Sequence, residues 1–175
     1  MTMELELWKF WVYSFLGCIM ETCYVRCRGS MKRGIKGFLL LPLCPVYGLG
    51  VLAVLALPKA LTAGFFSRAL WGGLTATAVE YVVHWAYEVL LGVHFWDYSH
   101  FRGNLKGRVC LPYSLIWGVL LTALPIVDRF LTPRLEAIPS KVTWVSLVVF
   151  LIDACISFWI LYQTGDPASL CLTPE

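Results

Sequence analysis

Five apolar stretches, each about as long as a helix needs to cross a bilayer, follow one another along this 175-residue chain, at about residues 7–25, 37–57, 68–91, 109–127 and 142–162. An α-helix rises about 1.5 Å per residue, so roughly 20 apolar residues cover a hydrocarbon layer of about 30 Å. A soluble core of this size cannot hide so much apolar surface: 59% of the residues are apolar and 14% charged, against about 25% charged in an ordinary soluble domain. The expected fold class is all-α, a polytopic membrane helix bundle of about five transmembrane helices with one Pro-broken helix. It forms a single integral membrane domain over residues 1–175, with no separate soluble part.

The first charges, Glu4 and Glu6, are acidic, the first apolar stretch has full span length and no small-residue cleavage site follows. The first segment is therefore expected to stay as a helix rather than leave as a signal peptide. Arg26, Arg28, Lys32, Arg33 and Lys36 crowd the first loop, and Arg102, Lys106 and Arg108 the loop after the third stretch. Basic residues in short loops remain in the cytoplasm, which predicts an N-terminus outside. Lys9, Lys59, Arg68, Arg129, Arg134 and Lys141 fall on the other side, so the orientation rests mainly on the first loop. A net charge of +3 gives no basis for nucleic-acid binding; the partner the composition implies is the lipid bilayer. Cysteines 18, 23, 27, 44, 110, 155 and 171 form no C-x-x-C pair and are read as small apolar side chains.

Pro42 and Pro45 interrupt the second stretch. Each lacks an N–H, so either the helix begins after Pro45 or it is broken there. Broken backbone at membrane depth survives only where protein or a wet cavity satisfies it, so the segment 41–50 is expected to line a site. Residues 128–141 are expected to form an outer loop.

A carboxylate at the centre of a membrane helix costs on the order of 3 kcal/mol and usually faces the bundle interior. Glu21 and Glu80 are the best candidates for such a site; Glu88, close to the end of its stretch where a carboxylate can reach water, and Asp153 are weighed equally as site or structural acids. Thr77, Glu80, His84 and Glu88 fall on one helix face, because steps of three and four residues return to the same side. Such a stripe could relay protons, bind a cation or coordinate a divalent metal, but a spacing of four is common in hydrogen-bonded seams. No metal ligand is therefore assigned, and no cofactor is named. Beside the membrane, Trp96, Asp97, Tyr98, Ser99, Asn104, Gly107 and Arg108 mix an acid, an amide and a guanidinium. Arg108 suits either a bidentate clamp on an anion or a topology anchor, and Asp97 suits a turn cap. The chain has no phosphate-binding G-x-x-x-x-G-K-[ST], no H-E-x-x-H and no G-x-S-x-G, so energy coupling requires a partner or an ion gradient, and no catalytic residue is assigned.

Gly17 with Glu21, the run Leu43-Cys44-Pro45-Val46-Tyr47-Gly48, Glu80-Tyr81 with Glu88, and then Trp96-Asp97-Tyr98-Ser99, Asn104 and Gly107-Arg108-Val109-Cys110 form an ordered set. Together they resemble the bacterial ABC-transporter permease family of type IV, the CmpB-like integral membrane proteins. The resemblance covers about residues 7–127, with 142–162 as an extra C-terminal span. It departs at Cys18, where a Trp is expected, at Leu41, where a Gly is expected, and at His84, where a less titratable residue is expected. It implies a small multi-pass permease or permease subunit of the bacterial cytoplasmic membrane, completed by a homodimer partner or a separate ATPase subunit. Its binding site or pathway would draw on Glu21, Pro45, Tyr47, Glu80, His84 and Glu88, with Trp96, Asp97, Tyr98, Asn104 and Arg108 at the cytoplasmic mouth. Two other classes fit the same residues: a membrane-embedded enzyme acting on a lipid or prenyl-phosphate substrate, and a non-catalytic membrane accessory protein whose polar seam only joins helices.

Overall fold

A computed structural model describes residues 2–27 and 38–170. Arg28, Lys32, Arg33 and Lys36 of the basic loop, the start of the second apolar stretch at residue 37, and Cys171 lie outside the described residues. Among those described the chain is all-α apart from one two-stranded ladder, with seven helices: α1 Met3–Cys27, α2 Pro45–Leu55, α3 Lys59–Thr62, α4 Phe65–Leu91, α5 Leu111–Thr122, α6 Leu124–Glu136 and α7 Ser140–Thr164. The ladder pairs β1 (Asn104–Leu105) with β2 (Val109–Cys110) in antiparallel register.

The long helices start and stop on local signals. In α1 the acids Glu4 and Glu6 occupy the first turn and Arg26 the last, which complements the helix dipole at both ends. Gly92 and Gly165 end α4 and α7 in the left-handed conformation, at φ 64° and 62°, a conformation a Cβ disfavours. Pro45 opens α2 at the first helical position, where its missing N–H costs nothing.

By length and apolar character α7 alone among the described helices passes as a span; α5 and α6 pass as a pair bent by 54°. The second apolar stretch is not one helix. It consists of an irregular segment, 38–44, followed by α2, whose 11 residues reach only about 16 Å. The region 128–141 is mostly helical rather than an outer loop, because α6 continues past Asp128 and Pro133 to Glu136. Its charges hid a helix that buries Leu124 and Leu135 on one side and leaves Arg129 and Glu136 exposed on the other.

Small residues bring the helices together. A Cβ at Gly17 would fall on the ring of Tyr47 and one at Gly48 on Ser14 Oγ, which locks α1 onto α2. A Cβ at Gly73 would lie 3.0 Å from Gly118 Cα, and one at Gly118 2.7 Å from the Ala69 carbonyl, so α4 and α5 touch backbone to backbone. Small residues at a helix contact let the two backbones approach to van der Waals distance.

Five amides of the irregular segment find acceptors within it or on its neighbours. Leu40 N–H donates to Ser157 Oγ at 3.0 Å and Leu41 N–H to Asp153 Oδ1 at 3.1 Å, both on α7. Phe38 N–H reaches the Leu43 carbonyl at 3.0 Å, Leu43 N–H the Leu41 carbonyl at 2.7 Å, and Cys44 N–H the Ser14 carbonyl at 3.0 Å. Pro42 has no N–H to satisfy. Asp153, an acid expected to mark a site or a span end, lies at the middle of α7; its Oδ1 accepts the Leu41 amide, while its Oδ2 is buried with no hydrogen-bond partner.

Contacts gather the helix ends into two groups. At one end Lys9 pairs with Asp128 at 2.8 Å, Ser140 donates to Glu4 at 2.6 Å, and Arg68 Nη1 reaches the Thr122 carbonyl at 3.2 Å. At the other, the loop 92–110 folds over the last turns of α4. Between them the surface is apolar: Leu115, Val119, Val145 and Trp159 are each more than 60% exposed.

Candidate functional site

Glu80 sits inside α4 and is 5% exposed. Tyr98 Oη donates to its Oε1 at 3.2 Å and Trp117 Nε1 to its Oε2 at 3.1 Å, so both oxygens are held by uncharged donors. On α1, half-buried Glu21 accepts from Tyr47 Oη at 2.9 Å. Pro45 starts α2 so that Tyr47 enters its first turn, and the absent side chain of Gly17 leaves space for the ring. The rings of Tyr47 and Trp117 meet at 4.9 Å. Two carboxylates on different helices therefore share one aromatic wall. Tyr98 extends that wall by stacking on Tyr113 at 4.8 Å, and Tyr113 shares a 2.5 Å hydrogen bond with Tyr24. Among the described residues no Lys or Arg pairs with Glu21 or Glu80. A carboxylate held only by neutral donors stays open to a cation or a proton.

Two turns further along α4 the surroundings change. Arg108 places Nε and Nη2 each 2.8 Å from Glu88 Oε2, donates from Nη1 to Tyr81 Oη at 2.6 Å, and sits 5.0 Å from the centre of the Tyr81 ring. The bond to Glu88 holds the guanidinium charged to still higher pH than usual. His84, 4% exposed, meets the Trp96 carbonyl through Nε2 at 3.0 Å, and Trp96 Nε1 donates to the Arg108 carbonyl at 2.8 Å. The single polar stripe expected along α4 thus divides, with Glu80 facing α1, α2 and α5, and His84 and Glu88 facing the loop. Thr77 Oγ1 is buried with no hydrogen-bond partner.

The loop is built on short-range polar contacts. Asp97 accepts from Ser99 N–H at 2.8 Å and from Ser99 Oγ at 2.9 Å, the turn cap its residue type suggested. Those two bonds, the backbone one first, hold its carboxyl below the usual carboxylate range. Asn104 donates to the Phe101 and Ser99 carbonyls at 2.7 and 3.2 Å and accepts from Gly107 N–H at 2.9 Å, so its amide organises the hairpin. Burial, and then the charge of Glu80, push the Tyr98 phenol above its ordinary range, which keeps it a donor. Five expected residues, Glu21, Pro45, Tyr47, Glu80 and Tyr98, thus build the carboxylate wall. His84, Glu88, Trp96 and Arg108 form a second cluster, and Asp97 and Asn104 shape the loop between.

Sequence reasoning did not single out Trp117, Tyr113, Tyr24 or His94. Trp117 and Tyr113 sit inside an uncharged apolar run, and nothing local distinguishes them from lipid-facing aromatics. Asp128 was placed in a loop, and its pairing with the buried Lys9, supported by Tyr13 Oη at 3.3 Å, joins residues 119 positions apart.

Compared with known proteins, residues 8–160 match the family described as "Putative ABC-transporter type IV", with CmpB-like members. The match runs past the α5–α6 bend into α7. No curated protein and no solved structure matches the chain.

Proposed function

The chain belongs to the ABC-transporter type IV family of CmpB-like proteins, and from that premise we propose that it is a small multi-pass permease or permease subunit whose intramembrane site is the Glu21–Glu80 pair. The observation that carries the proposal is the convergence of two acids from different helices on one aromatic wall, each bonded only by uncharged donors. An acid placed in an apolar bundle at a cost of several kcal/mol, and left unneutralised, marks a substrate, ion or proton pathway.

In this reading the chain crosses the bacterial cytoplasmic membrane five times, with α2 and its irregular lead-in as the second crossing and α5 with the start of α6 as the fourth. The N-terminus is outside and the loop 92–110 is cytoplasmic, so Trp96, Asp97, Asn104 and Arg108 frame the inner mouth. Lipid covers the apolar belt. A single-cysteine variant retaining Cys27, exposed at the end of α1, tests the orientation: an impermeant maleimide should label it in inside-out vesicles and not in right-side-out ones. The opposite pattern inverts the topology.

The chain has no nucleotide-binding loop, which leaves a partner or an ion gradient as energy source; the family match favours a separate ATPase subunit over a homodimer alone as what completes the permease. The decisive experiment solubilises the tagged chain from its native membrane in mild detergent and measures ATP hydrolysis in the eluate. An ATPase should co-purify, and Glu80→Gln should change its hydrolysis rate without changing the amount recovered. Recovery of the chain without an ATPase would sink the permease reading. Turnover of a prenyl- or lipid phosphate that disappears in Glu80→Gln would establish the enzyme reading instead.

A further inference from the structure

We propose that His84, Glu88 and His94 form a binding site for one divalent transition-metal ion of the zinc class at the loop end of α4. The site is separate from the Glu21–Glu80 pair and does not depend on the permease reading.

One potential ligand atom from each of the three side chains lies within 4.8 Å of the other two. The fold brings them together in two ways. His84 and Glu88 are one helical turn apart, and Gly92 ends α4 in a left-handed turn that doubles the chain back, so that the rings of His84 and His94 sit 5.3 Å apart. A cavity of about 320 Å³ opens onto them, lined by His84, Glu88, His94, Asp97, Lys106 and Gly107.

The hydrogen bonding of His84 is an independent pointer to a ligand. A carbonyl oxygen only accepts, so the 3.0 Å contact with the Trp96 carbonyl requires the proton on Nε2. In the neutral ring Nδ1 then presents a lone pair. That atom is buried and has no hydrogen-bond partner; Glu88 Oε2 lies 3.7 Å away, beyond hydrogen-bond reach. A ring held by a backbone carbonyl on one nitrogen, with the other nitrogen bare and turned toward a second imidazole and a carboxylate, has the arrangement of a metal-binding histidine. The carbonyl is itself held in place, because Trp96 is fixed through Nε1 to Arg108.

Two imidazoles and one carboxylate favour zinc-class ions over magnesium or calcium, which require mainly oxygen. Three protein ligands leave a coordination position open toward the cavity. Arg108 and Lys106 add positive charge nearby and oppose a cation, while Asp97 on the cavity wall offsets them in part. Both short Arg108 contacts fall on Glu88 Oε2, so the guanidinium does not use the other carboxylate oxygen.

The test is equilibrium dialysis of the chelator-treated full-length protein in detergent against Zn2+, with Mg2+ in excess. One Zn2+ per chain should bind, and His94→Gln and His84→Gln should each weaken binding at least ten-fold. His94 is exposed, so its variant should keep the wild-type melting temperature. In the wild-type protein, Co2+ should give a visible spectrum without thiolate charge-transfer bands, a readout that needs no variant. Absence of stoichiometric Zn2+ in folded wild-type protein overturns the site. So does equal binding by wild type and His94→Gln, or a thiolate band that disappears when Cys23 and Cys27 are changed to Ser.

Discussion

Glu80 and Glu88 stand two turns apart on α4, yet uncharged Tyr98 and Trp117 hold the first and Arg108 holds the second. The difference follows from depth. An Arg carried into the centre of an apolar bundle adds its own cost, so the deep acid is met by phenol and indole donors. The same loop reaches both acids, offering the Tyr98 phenol to Glu80 and the Arg108 guanidinium to Glu88 at the helix end. An acid without a cation partner stays open to a proton or a visiting cation, whereas a paired one holds structure together.

The strongest challenge to this contrast is Glu80→Ala. It orphans two half-buried donors at about 1–3 kcal/mol each, so the variant should lose about 2–6 kcal/mol in thermal unfolding in detergent. Glu80→Gln, which keeps an acceptor oxygen, should lose much less. Equal melting of the Ala variant and wild type would show that the deep donors do not depend on the carboxylate.

Next in size is Gly17→Leu, which drives a side chain into the Tyr47 ring that reaches Glu21. Overpacking of this kind costs about 1–3 kcal/mol. Gly50→Ala is the control, because its Cβ would meet only Ala76 Cβ at 4.0 Å, and it should melt like wild type.

Salt sharpens the comparison further. The loss in melting temperature caused by Glu88→Gln should shrink as NaCl is raised, because a partly exposed ion pair is screened. The loss caused by Glu80→Ala should not change. If both respond alike, the division between charged and uncharged partners is wrong. Trp96→Phe removes one indole donor from the Arg108 carbonyl and should cost about 1 kcal/mol by the same melt.

The smallest expected effect belongs to Asp97 on the exposed loop. Its carboxyl titrates below the ordinary range in the folded chain, so folding favours its ionised form. The stabilisation is complete above the ordinary carboxylate pKa of about 3.9 and is lost as pH falls through the folded value. The melting difference between wild type and Asp97→Asn should therefore persist near neutral pH and fade below about pH 4. A constant difference across that window would assign it to loop geometry rather than to charge.

What could be read from the sequence was whatever depends on local pattern. The long apolar runs located α1, α4 and α7 to within a few residues, and Pro42 with Pro45 marked the interruption before α2. Glu21, Tyr47 and Glu80 stood out because acids and a motif tyrosine are conspicuous in apolar runs. α6 was missed because Asp128, Arg129, Pro133 and Arg134 resemble a loop until their neighbours are known. Trp117 and His94 were missed for a related reason. Their roles exist only once α5 lies against α4 and the chain turns back at Gly92. Partners that meet across tens of residues leave no periodic trace.

The irregular segment before α2 has its Leu40 and Leu41 amides closed by Ser157 and Asp153, and the Leu41 partner lies 112 residues further along the chain. At a synthesis rate of about 5–20 residues per second, the early part of the protein waits roughly 6–22 s for its last helix. Throughout that interval two amides must borrow other acceptors. The final helix therefore acts as a latch on the first half of the molecule, and a ribosome that stalls just short of Asp153 leaves behind a nascent chain whose early fold is still open to quality control.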